Sequence, residues 1–119
     1  MELENLEVYK LSMSMSEAVW EIVSSWKFFE KDTIGKQLVI SADSVSANIS
    51  EGFGRFHYKD SKLFFYYARG SLFETKTWLS KANHRNLITS EQFETLENQI
   101  KVLGIKLNKF INSIGTKIP

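Results

Sequence analysis

Apolar residues recur along this chain at three- and four-residue steps, strand-type alternation is nearly absent, and the only proline is the last residue. That pattern predicts helices from end to end, with no interior helix breaker. The clearest run is Phe93, Leu96, Ile100, Leu103, Leu107, Phe110 and Ile114, a heptad seam with charged Glu94, Glu97, Lys101 and Lys109 beside it. Thr89-Ser90-Glu91-Gln92 offers hydroxyl caps and an acid for the first turn, and Gly115 a stop.

Three more helices precede it. Over residues 5–29, Leu6, Tyr9, Met13, Trp20 and Val23 fall roughly along one face, while Val8, Leu11, Met15, Val19, Ile22 and Trp26 cover much of the rest. So wide an apolar arc exceeds what one bundle core needs, so part of it is expected to lie under another subunit. Over residues 32–54, capped by Asp32 or Thr33, the inner stripe reads Ile34, Leu38, Ser41, Val45, Ile49 and Gly52. Its serines and alanines are weak helix formers, so packing must hold it, and small side chains admit a close neighbour. Over residues 59–83 the inner side reads Leu63, Phe64, Tyr67, Ser71, Trp78, Leu79 and Ala82. Gly70 is then expected near a close helix contact, since an interior glycine costs roughly 1 kcal/mol against alanine. Short connectors near Glu30, 55–58 and 86–89 favour antiparallel neighbours. The expected architecture is an all-α, up-down-up-down four-helix bundle forming one domain over residues 1–119.

Composition narrows the chemistry. The chain has 119 residues, 43% of them apolar, and no cysteine, which excludes disulfides, thiolate zinc sites and a cysteine nucleophile. No apolar run approaches a membrane span, and Met1-Glu2-Leu3-Glu4 does not resemble a secretory signal, so a cytoplasmic location is expected. His57 and His84 sit beside predicted loops without the spacing of bundle metal ligands, and no phosphate-binding glycine loop is present. Catalytic, cofactor and metal sites are therefore not expected, nor is a small-molecule substrate.

The formal net charge of +1 conceals a segregation. Residues 1–30 carry two lysines against six glutamates, net −4. Residues 55–85 carry seven cations against Asp60 and Glu74, net +5. Lys62, Arg69 and Lys76 recur every seven residues, with Tyr66 and Phe73 between them, about opposite the expected core stripe. Such a stripe can grip phosphates and stack on bases, or it can face the acidic first helix of another subunit. Asn48, Glu51 and Glu74 border the inner stripes, and Arg55 lies one turn after Glu51. A structural polar clasp of Asn48, Glu51, Arg55 and Glu74 is expected, in preference to a catalytic carboxylate pair.

The stretch Ser44-Val45-Ser46-Ala47-Asn48-Ile49-Ser50-Glu51-Gly52-Phe53-Gly54-Arg55, with Ala68-Arg69-Gly70-Ser71-Leu72 and Glu74, resembles the signature of a bacterial four-helix-bundle family. Its members are often labelled proteins of intervening sequences in large-subunit ribosomal RNA genes, and they include the accessory variability determinant of diversity-generating retroelements. The resemblance implies a left-handed antiparallel bundle assembling into a homopentamer, with RNA, DNA or a reverse transcriptase as further partners. By position, Asn48, Glu51, Gly52, Arg55, Arg69, Gly70, Ser71 and Glu74 match the pattern, in roles of helix packing and a polar clasp. The chain departs from the pattern at Val39-Ile40, where a basic pair is common, and its net charge of +1 departs from the strongly basic retroelement accessory members.

Overall fold

The computed structural model describes residues 1–55 and 57–115, and among them only helices and turns occur. After a 3-10 turn at Leu3–Asn5 come α1 (Glu7–Ser24), α2 (Lys36–Phe53), α3 (Tyr58–His84) and α4 (Ser90–Ser113). Helix α2 is entered through an α turn at Phe28–Glu30 and a π-helical turn at Lys31–Gly35, with helical backbone angles throughout the junctions. Each helix packs on its neighbour in the chain and α4 closes on α1, giving a four-cornered rod of 53 × 22 × 21 Å.

The first two boundaries differ from expectation. The chain leaves α1 at Ser24 and turns over 25–27, where the Ser25 and Trp26 amides bond the Ile22 and Val23 carbonyls. Thr33 does not cap a helix. It lies inside the π turn, and its hydroxyl donates to the Phe29 carbonyl at 2.7 Å. Gly35 explains how the turn seats: a Cβ there would come within 2.7 Å of Val23 Cγ1 and 3.2 Å of Trp26 Cε3. Only a bare backbone lets the end of α1 lie this close.

The other ends follow the sequence closely. Thr89 and Gln92 form a reciprocal capping box at α4, each side chain bonding the other's backbone amide at 3.0 Å. Asn86 (φ +60°) ends α3 in the left-handed conformation, with the Leu87 amide bonded to the Ala82 carbonyl, and Gly115 (φ +77°) follows α4.

The core stripe of α2 is the expected one, with Ile34, Leu38, Ser41, Val45, Ile49 and Gly52 all buried. In α4, Leu96, Ile100, Leu103 and Leu107 are buried, joined by Ile111, while Phe93, Phe110 and Ile114 pack at the margin. Helix α1 buries Val8, Ser12, Met15, Ser16, Val19 and Val23, and leaves Met13 and Trp20 outside. Helix α3 departs most. Its buried stripe is Phe65, Ala68, Leu72, Thr75, Leu79 and Ala82, whereas Leu63 and Tyr67 face solvent and Phe64, Ser71 and Trp78 are half-buried.

Helices α2 and α3 share the most extensive interface, and small residues account for it. Thr75 Oγ1 and Ser41 Oγ form a buried hydrogen bond of 3.1 Å between them. At Gly52 a Cβ would meet the Ser61 carbonyl at 2.9 Å and the Phe65 ring at 3.0 Å.

Candidate functional site

Arg69 anchors the polar shoulder where α3 meets α4. Its Nη1 donates to Asn108 Oδ1 at 3.0 Å, and its guanidinium lies 5.0 Å from the Tyr66 ring centroid, within cation–π range. One turn on, Phe73 is 62% exposed and Lys76 is exposed. Together Arg69, Phe73 and Lys76 wall one side of a groove of about 500 Å³, with Glu97, Lys101 and Asn108 of α4 on the other and Leu72, Ile100 and Gly104 also lining it. Phe73 and Lys76 also border a shallower depression that runs past Ser80 to Lys81, His84 and Arg85. The groove thus offers three cations, an aromatic face and one carboxylate.

The register of this stripe differs from expectation. Because the core of α3 is Phe65, Ala68 and Leu72, the Lys62–Arg69–Lys76 line falls on the shoulder toward α4 and not opposite the core. Lys62 and Arg69 are accordingly half-buried, and Lys62 lines neither depression. Lys101 enters the sequence reading only as a charged neighbour of a seam, and Asn108 not at all. Their place opposite Arg69 depends on the α3–α4 register.

The expected clasp is only partly assembled. Glu51 Oε1 and Arg55 Nη2 are 2.6 Å apart, an exposed ion pair one turn long, and Arg55 lies 4.6 Å over the Phe64 ring of α3. Glu74 belongs elsewhere: it accepts from Trp78 Nε1 at 3.0 Å on its own helix. Asn48 donates to the Ser44 carbonyl at 2.9 Å, also within its helix. Of the small residues, Gly52 is a true close contact, and the Ser71 carbonyl accepts from Thr75 at 2.8 Å. Gly70 is not one within the chain, since a Cβ there would meet nothing within 4 Å. It lies on the outward side of α3.

A second feature lies across the rod, where α1 meets α2. Trp20 (57% exposed) and Ile40 (51%) edge an apolar groove of about 400 Å³ with Val23 and Val39. Nearby, Asp43 of α2 has its pKa raised above the ordinary aspartate range, first by burial and then by the charge of Glu17 on α1. Among the described residues no group of three or more acids and histidines is placed to hold a metal, and no helix is long and apolar enough to cross a membrane.

These features define an all-α protein of four helices with cations and aromatics gathered on the third. The chain belongs to the 23S rRNA-intervening sequence protein family, whose family model matches residues 4–109. The crystal structure of a protein of unknown function from the S23 ribosomal protein family of Bacteroides thetaiotaomicron has the same fold, with a TM-score of 0.80 at 22% identity. The match covers 89% of this chain and 99% of that one. No curated protein matches the chain.

Proposed function

We propose that this protein is a non-enzymatic, homo-oligomeric binding module, a pentamer by family resemblance, that holds nucleic acid or a nucleic-acid-handling protein such as a reverse transcriptase. The bundle is read as antiparallel and up-down-up-down, because connectors of four and five residues join α2 to α3 and α3 to α4 and each helix packs on its neighbour in the chain, and as left-handed by family resemblance. A bacterial, cytoplasmic setting goes with that reading. No small-molecule substrate, cofactor or membrane takes part. The carboxylates considered for catalysis support it, since Glu51 is taken by Arg55 and Glu74 by Trp78.

The observation that carries the proposal is the groove walled by Arg69, Phe73, Lys76 and Lys101. Cations spaced along a groove can follow a phosphate backbone while an exposed ring stacks on a base. Three phosphate contacts would weaken binding of a single strand roughly 20-fold between 50 and 200 mM salt. Binding of a short single-stranded RNA or DNA, followed by fluorescence anisotropy across that range, tests this. Substituting Lys76, Arg85 and Lys101 together by Ala is expected to remove binding with the solution mass unchanged.

A second reading, an oligomeric scaffold with no nucleic-acid role, is favoured by one observation: Arg69 is already engaged by Asn108 and Tyr66. It predicts no salt-sensitive binding by the wild-type protein, and its charges then serve assembly alone.

A further inference from the structure

Two exposed lines run side by side where α1 packs on α2. One is Met13, Glu17, Trp20 and Ser24 of α1, the other Lys36, Ile40, Asp43 and Ala47 of α2, each advancing by 3 or 4 residues along one helix face. Val23 lies against Gly35 near one end of this pair, and Glu17 acts on Asp43 further along. Between the lines is the apolar groove of about 400 Å³ walled by Trp20, Val23, Val39 and Ile40. Lys31 and Lys36 border it at the Gly35 end, and no acid lines it. One helical turn beyond Trp20 and Ile40 stand the two carboxylates.

The face thus reads base, apolar, acid along the rod, with Lys36 and Asp43 separated by about 10 Å of helix. Neither charged end is answered within the chain. Among the described residues no ion pair holds Lys31, Lys36, Glu17 or Asp43. Burial, and then the charge of Glu17, hold the Asp43 carboxyl toward its neutral form, so a cation brought there from outside relieves a cost already present. A groove between two helices takes the ridge of a third. Two copies of this face would oppose groove to groove and leave both unfilled, which close packing disfavours.

We infer that the α1–α2 groove receives an amphipathic helix of another protein, one that carries an acid, apolar residues three and four positions later, and a base at the seventh. Charge fixes its direction. Acids suit the N-terminal end of a helix and bases its C-terminal end, so the incoming acid meets Lys31 and Lys36, its base meets Glu17 and Asp43, and the helix runs parallel to α2. The contact lies on a different face from the groove of Arg69 and Lys76, and it stands whether or not that groove holds nucleic acid.

The test uses the full-length protein and two fluorescein-labelled synthetic helices of about 20 residues, long enough to be helical in isolation. One carries Glu, two Leu and Arg in the stated spacing on an alanine-rich background, and its twin exchanges Glu and Arg. Fluorescence anisotropy at low salt is expected to find the first bound about tenfold more tightly than the twin. Ile40→Glu, at an exposed position, is expected to abolish binding of both with helicity by circular dichroism unchanged. Exchanging the charges with Lys31→Glu, Lys36→Glu, Glu17→Lys and Asp43→Lys together is expected to reverse the preference toward the twin. Failure of the wild type to bind either helix at millimolar concentration overturns the inference, as does equal affinity for the two, or a preference that survives the charge exchange. If Ile40→Glu instead lowers the solution mass seen by light scattering, the face is a contact between copies and the inference fails. If it abolishes RNA binding, nucleic acid occupies this groove and the inference fails likewise.

Discussion

Asp43 sits on α2 with its carboxyl partly shielded from water and Glu17 of α1 nearby, and both influences favour its neutral form. A carboxyl whose folded-state pKa is raised supports folding below the ordinary aspartate range and loses that support as pH rises through the folded value. At neutral pH the ionised group is therefore a cost to the isolated chain. Asp43→Asn is expected to raise the melting temperature at pH 7, with the gain disappearing near pH 3, where the wild-type carboxyl is itself protonated. Melting curves of dilute protein at the two pH values check this. Equal gains at both would mean that charge is not the cause.

Among the helices, the legibility of each face depended on how many apolar residues competed for it. Helix α4 has one seam, so Leu96, Ile100, Leu103 and Leu107 and the hydroxyl-rich start were readable, whereas buried Ile111 and the pairing of Thr89 with Gln92 were not. The stripe of α2 was also readable, because Leu38, Val45 and Ile49 fall on one line, although Ala42 and Ser46 are buried beside it. Helix α3 has apolar residues nearly all round. Periodicity alone favoured Leu63 and Tyr67, whereas packing selected the face of Phe65, Ala68, Leu72 and Thr75. That change of face moved Arg69 and Lys76 to the α4 shoulder and Gly70 to the outside. The candidate site was thus legible as a list of residues, while its groove with Lys101 and Asn108 depended on register between helices.

The tightest of these helix contacts gives its own test. Because a Cβ at Gly52 would press on the Ser61 carbonyl and the Phe65 ring, Gly52→Ala must push α2 and α3 apart. The expected loss is about 1–3 kcal/mol, despite the better helix propensity of alanine. Chemical denaturation measures it, and a gain in stability would show that the two helices are not held that close.

The whole molecule is a slender rod that buries one coherent core yet leaves Trp20, Ile40, Leu63, Tyr66, Tyr67, Phe73 and Ile105 exposed along its sides. Scattered apolar residues on a surface need no explanation, but Leu63, Tyr66 and Phe73 follow one another along the exposed side of α3. At the tip between α1 and α2, Phe28 and Phe29 are 79% and 71% exposed and extend the same tendency. Association of copies buries such surface without altering the fold, and a ring would set several basic grooves side by side. Repetition of a modest groove then raises the effective strength of nucleic-acid binding through multivalency.

All of this depends on the chain associating with itself. Gel filtration coupled to multi-angle light scattering, at micromolar protein and modest ionic strength, measures that directly. The account predicts a discrete mass near five times 13.8 kDa, and a mass of 13.8 kDa would contradict it.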